Sequence, residues 1–97
     1  MKIKHWQGYG SVTAKKVSKV TKNGVTTLVV KVTGNHEWGL VRDDIYDLKR
    51  WLIDRFDKTA ADVWPYDINY RYEDGYSRNE EKGIDEEYCV YTFVYAV

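Results

Sequence analysis

The last ten residues, Tyr88–Val97, are apolar at nearly every position, and no other stretch constrains the fold as tightly. Side chains along a strand alternate between two faces. Tyr88, Val90, Thr92, Val94 and Ala96 therefore lie on one side, with Cys89, Tyr91, Phe93, Tyr95 and Val97 on the other. A strand apolar on both sides belongs in the interior of a sheet with cover on each face.

Cover for one face is legible upstream. Ile45, Leu48, Leu52 and Phe56 recur at helical spacing, Trp51 widens the stripe, and Arg50, Asp54, Arg55 and Asp57 fall on the wetter side, which predicts an amphipathic helix of about four turns. Asp43 or Asp44 is placed to cap its start. Earlier still, Val12–Val32 reads as two β-branched arms around Thr21-Lys22-Asn23-Gly24, where Asn-Gly suits the positive φ angles of a tight hairpin turn. Leu28, Val30 and Val32 share one face of the second arm. The first arm changes parity between Ala14 and Val17, which predicts a bulge. Ile68, Tyr70 and Tyr72 alternate with polar residues over Asp67–Asp74, a further strand, and the polar stretch Gly75–Glu87 reads as an exposed connection.

With 97 residues there is material for one core. The expectation is a single α+β domain over residues 1–97: an N-terminal β-hairpin, one amphipathic helix and C-terminal antiparallel strands, ββαββ-like, with the helix on one sheet face. One helix covers one face only, so the second apolar face predicts a homodimer or higher homo-oligomer.

An apolar fraction of 43% and an aromatic fraction of 15% exclude a disordered composition. The single Cys89 cannot make an internal disulfide, and its inward strand position suits a small buried hydrophobe. Met1 is followed by Lys2-Ile3-Lys4-His5 without a signal-like apolar run, and no stretch approaches a membrane span of about 18 apolar residues. These features favour a cytoplasmic protein without membrane contact. Net charge is zero but segregated: residues 1–33 hold seven lysines and no acid, leaving eight cations against fifteen acids in the remainder. Such polarity steers an anion to the first third of the chain or favours self-association; it also suits a lysine-rich edge hairpin that resists aggregation.

No nucleophile elbow, phosphate loop or His-Glu-x-x-His pair occurs, and His5 and His36 are far apart in sequence, so the residues argue against an enzyme and imply no cofactor or metal. Two glycine–aromatic segments are more informative: Trp6-Gln7-Gly8-Tyr9-Gly10 and Gly34-Asn35-His36-Glu37-Trp38-Gly39. Glycine admits a ligand close to the backbone, aromatic rings stack on bases, and Asn or His both donates and accepts hydrogen bonds. Arg42 follows, just before the helix start, where an anion is also favoured. The candidate ligand-binding residues are Trp6, Tyr9 and Trp38 for stacking, Asn35 and His36 for polar edges, and Arg42, Lys15 or Lys16 for phosphate. Tyr70, Tyr72, Tyr91 and Tyr95 would suit an RNA-binding sheet, but they sit in the acidic part of the chain, which disfavours nucleic acid.

At WQGYG (6–10), GNHEWG (34–39) and RDDIYDLKRWLIDRFDK (42–58) the chain resembles small uncharacterised proteins from phages and prophages of Gram-positive bacteria. The resemblance assigns no activity and no residue roles. It implies a setting in which compact accessory proteins bind a host component, often one of a defence system. The expectation is a non-enzymatic counter-defence protein in the host cytoplasm that sequesters an anionic nucleotide immune signal. The alternative is an inhibitor acting through a protein surface on a host defence effector such as a CRISPR nuclease; a small enzyme acting on a nucleotide comes third.

Overall fold

A computed structural model describes residues 2–4, 11–34 and 45–97. It is an α+β structure: one antiparallel sheet and one short helical run. The strands are β1 (Lys2–Lys4), β2 (Ser11–Lys22), β3 (Val25–Thr33), β4 (Asn69–Asn79) and β5 (Ile84–Ala96), hydrogen-bonded in the order β1-β2-β3-β5-β4. The apolar C-terminal strand is thus interior, as its two-sided composition requires.

The β2–β3 turn falls at Asn23 and Gly24, with φ of 54° and 77°. Two successive left-handed residues match the twist of the flanking strands. The bulge is present too: the β2–β3 register slips between Lys16 and Ser18, leaving Val17 as the extra residue.

The helical run comprises Ile45–Leu48, a π-wound turn Lys49–Ile53 and a final stretch Asp54–Phe56. Asp54 N–H reaches back five residues to the carbonyl of Lys49. The extra residue in that turn brings Leu48, Lys49, Trp51, Leu52 and Ile53 all to buried positions. The Arg55 guanidinium donates to the carbonyls of Arg50, at 3.1 Å, and Trp51. The residues expected to cap the start, Asp43 and Asp44, lie outside the described residues.

The core joins the helical run to one sheet face. Ala14, Leu28, Val30, Val32, Cys89, Tyr91, Phe93 and Tyr95 are buried together with Leu48, Trp51, Leu52, Ile53, Ala60 and Ile68. At roughly 25 cal/mol per Å² of apolar surface removed from water, this single cluster supplies the main driving force for folding. Cys89 is fully buried, as its strand position implied.

Two expectations are corrected. Gly75–Glu87 is no open connection: β4 runs on to Asn79 and pairs with β5 down to Asn79↔Ile84, leaving a tight turn at residues 80–83. Gly83 takes φ of 65° there. The polar composition reflects ladder positions exposed at the sheet's end, tied by an Asn79 Nδ2 donation to Glu86 Oε1 at 2.5 Å and an Arg78–Asp85 pair at 3.6 Å. Asp57, expected on the wetter side, is buried at 2% exposure.

Candidate binding surface

Which side chains reach which face of the sheet is decided by the bulge at Val17. Ala14 and Lys16 share the helix-covered face with Val32 and Val30. One extra residue then moves Lys19 and Thr21 onto that face, opposite Leu28 and Thr26, and sends Val20 to the other side. Lys19 turned inward meets Asp57. Its ammonium lies 3.1 Å from Asp57 Oδ1, the same oxygen accepts from Thr59 N–H at 3.1 Å and Thr59 Oγ1 at 2.5 Å, and Tyr95 O–H donates to Oδ2 at 2.7 Å. Burial alone would raise the Asp57 pKa; the hydrogen bonds from Thr59, Tyr95 and Lys19, with the lysine charge, outweigh it and bring it down to about 2. Burial, then the bond to Asp57, pushes the Tyr95 phenol well above its usual range. This carboxylate ties β2, the end of the helical run and β5 together, and fixes which face is covered.

The opposite face is open among the described residues. Its rows follow from the register: Val20, Thr27, Val94, Asn69; then Ser18, Val29, Thr92, Arg71; then Lys15, Lys31, Val90, Glu73; then Thr13, Thr33, Tyr88, Gly75. The central positions are half-buried and Val20 is 58% exposed. Two shallow depressions of about 410 Å³ share Arg71 and Thr92 and are flanked by Glu73 and Val90 on one side and Thr27, Asn69 and Val94 on the other. Lys31 Nζ stands 4.9 Å from the Tyr88 ring centroid, a cation–π distance. The Tyr88 ring lies over Gly75, where an added Cβ would come within 2.8 Å of the phenol oxygen. Lys15 and Lys31 are directly opposite across β2–β3, a like-charge arrangement that costs stability unless an anion answers it.

Elsewhere three aromatic rings meet on the surface. Tyr46 stands edge-on to Trp64 and Tyr66, with centroids at 5.6 and 5.0 Å, and Trp64 and Tyr66 are 56% and 68% exposed. Pro65 is buried and starts the short 3-10 turn that holds the last two rings outward. Asp47, Asp62 and Asp67, all exposed, come from the same segments.

Of the expected ligand residues, Lys15 and Lys16 are described: both are exposed on β2, but Lys15 faces the open side and Lys16 the helix side, as adjacent strand residues must. Trp6, Tyr9, Asn35, His36, Trp38 and Arg42 lie outside the described residues. Sequence reasoning passed over Lys31, Tyr88 and Arg71 as a set, because their strands are brought together only by the β3–β5–β4 order. It also passed over the Tyr46–Trp64–Tyr66 group, whose signal was the single Trp-Pro step.

Among the described residues, no three His, Cys, Asp or Glu side chains form a group able to hold a metal, and no helix is long and apolar enough to cross a membrane. Comparison with family models, with curated proteins and with solved structures finds no match.

Proposed function

We propose that this chain, whose β2–β3 hairpin, helical run and β4–β5 pair follow a ββαββ-like order, is a non-enzymatic binding protein of the phage counter-defence kind, which sequesters an anionic nucleotide-type signal in the host cytoplasm. The observation that carries the reading is the placement of its basic third. Lys4 pairs with Ser11 and Thr13 with Thr33, so the start of β2 and the end of β3 are neighbours at one end of the sheet. The Lys15–Lys31 pair sits two residues further in, beside the Tyr88 ring. Two cations at hydrogen-bonding reach of one anion, with an aromatic face next to them, suit a phosphate attached to a base.

The test is direct. The protein is incubated with a panel of cyclic di- and trinucleotides and ADP-ribose derivatives, separated from free ligand, and heated. Recovery of one ligand intact, with release lost in Lys15→Ala together with Lys31→Ala, is the expected result. No retention of any member, or release of a cleaved product, overturns the reading.

The exposed rings of Trp64 and Tyr66, with the half-buried Tyr46 beside them, favour a second reading, an inhibitor that docks on a host defence effector such as a CRISPR nuclease. Trp and Tyr are the residues that dominate protein contacts when they cluster. A stoichiometric partner recovered from host lysate by the wild type and not by Trp64→Ala, Tyr66→Ala would support it; equal recovery by both would remove it.

A further inference from the structure

We propose that the open face of the sheet is occupied by a second copy of this chain, related by a two-fold axis running close to the strand direction over the β3–β5 seam. This goes beyond the ligand reading and competes with it, since the second copy would cover Lys15 and Lys31. The argument begins with the rows. A two-fold along the strands keeps each row level and reverses its order, so that β2 of one copy lies over β4 of the other and β3 over β5. The row Lys15, Lys31, Val90, Glu73 then places Lys15 over Glu73 of the second copy and Lys31 over Val90, twice by symmetry. In the next row Arg71 falls over Ser18 and Val29 over Thr92. No like charges are directly opposed, although Lys31 of the two copies stand side by side across the axis.

The alternative two-fold, across the strands, lays β2 on β2, setting the lysines Lys15 and Lys22 of the two copies against each other. It is disfavoured by repulsion, the usual device for choosing one docking geometry over another. The centre of the face, Val29, Val90, Val94, Thr27 and Thr92, supplies the surface to bury, and the rim charges set the orientation rather than the affinity. Four strands about 4.8 Å apart, paired together from Thr33, Tyr88 and Gly75 to Thr27, Val94 and Asn69 at about 3.3 Å per level, offer on the order of 450 Å². That is about half of the roughly 800 Å² per partner of a standard interface, the size of a weak dimer. Sheets stacked in this way lie about 10 Å apart, a gap that Lys and Glu side chains at the rim span together. The cross-strand lysine pair, unfavourable in an isolated sheet, is relieved in this arrangement, because Glu73 of the second copy answers Lys15.

The experiment is a charge swap read by sedimentation equilibrium of the full chain across micromolar to hundred-micromolar concentrations, with no ligand added. The wild type is expected to dimerise. Lys15→Glu alone and Glu73→Lys alone should each weaken dimerisation about tenfold or more, and Lys15→Glu with Glu73→Lys together should restore it. Val90→Lys, in the middle of the face, should give a monomer whose far-ultraviolet circular dichroism is unchanged. A wild type that stays monomeric at a hundred micromolar overturns the proposal, as does a double swap that restores nothing. Weakening by Glu73→Lys but not by Lys15→Glu would point instead to pairing through the β4 edge, and likewise overturns it. Glu73 takes no part in the nucleotide reading, so loss of ligand without loss of the dimer, or the reverse, separates the two.

Discussion

The two faces of the sheet are built by the same strands and end in different states. On the covered face β3 and β5 present Thr26, Leu28, Val30, Val32 and Cys89, Tyr91, Phe93, Tyr95, all buried; on the open face they present Thr27, Val29, Lys31 and Val90, Thr92, Val94, half-buried. Hydrophobicity alone does not choose between them. The helical run is held to its face by large side chains that fill the space beneath it and by one carboxylate that draws in a lysine, a tyrosine and a threonine. The open face has smaller side chains, a row of lysines at one margin and Glu73 at the other. A face made of large rings is finished within one chain, whereas a face of valines and threonines with opposite charges at its margins suits a flat partner.

The sharpest way to break this contrast is to substitute neighbours on one strand. Phe93→Ala removes a ring from the covered face and should cost about 3–5 kcal/mol, while Val94→Ala, on the open face, should cost about 1 kcal/mol or less in the monomer. Urea unfolding curves of the two variants measure the difference; equal losses would mean that the faces are not distinct in the way described.

Next in size is the carboxylate. Asp57→Asn weakens the acceptor for Tyr95 O–H and removes the charge opposite Lys19, and should cost about 2–3 kcal/mol. Because the folded pKa of Asp57 is held near 2, below its ordinary value, its contribution is complete above about pH 4 and is lost as pH falls from about 4 to 2. A wild-type acid-unfolding curve should show this loss and the Asp57→Asn curve should lack it. Tyr95 works in the other direction: its raised pKa means that stability is held below about pH 10 and declines as pH rises further, through ionisation of the unfolded chain.

A smaller effect is expected at the hairpin. Gly24→Ala forces a side chain into φ of 77° and should cost about 1–2 kcal/mol, detected as a lowered Tm with unchanged helix signal. Smallest is Arg78→Ala. The Arg78–Asp85 pair at 3.6 Å joins two exposed side chains, so its loss should stay within about 0.5 kcal/mol; a larger value would show that the far end of the β4–β5 ladder is packed against something.

How much was legible depended on whether the signal was local. Asn23-Gly24 announces its turn because only residues tolerant of positive φ sit there, and the bulge shows as a parity change between Ala14 and Val17. The helical stripe shows in four residues at the right spacing. Asp57 could not be read in this way: it follows the stripe among other charges, and what buries it comes from Lys19 and Tyr95, each 38 residues away. The β4 extension was hidden for a related reason, since Gly75 and its acidic neighbours look like a loop until Tyr88 is seen lying over the glycine. As to the site, Lys15 and Lys16 could be named from the sequence as basic but not assigned to a face, because that assignment turns on Thr13↔Thr33 pairing. Lys31, the partner of Lys15, becomes visible only with that register.

Val17 has a further meaning in genetic terms. The bulge is a single codon, and an in-frame loss of three nucleotides there would close the ladder from Lys16 to Ser18, leaving Lys19 opposite Leu28 and Val20 opposite Thr27 as they are now. A point substitution changes one contact; this deletion would change the bend and twist of the strand and leave its faces as they are. Descendants of this gene should therefore tolerate many replacements at Val17, which is 57% exposed, and its loss as well.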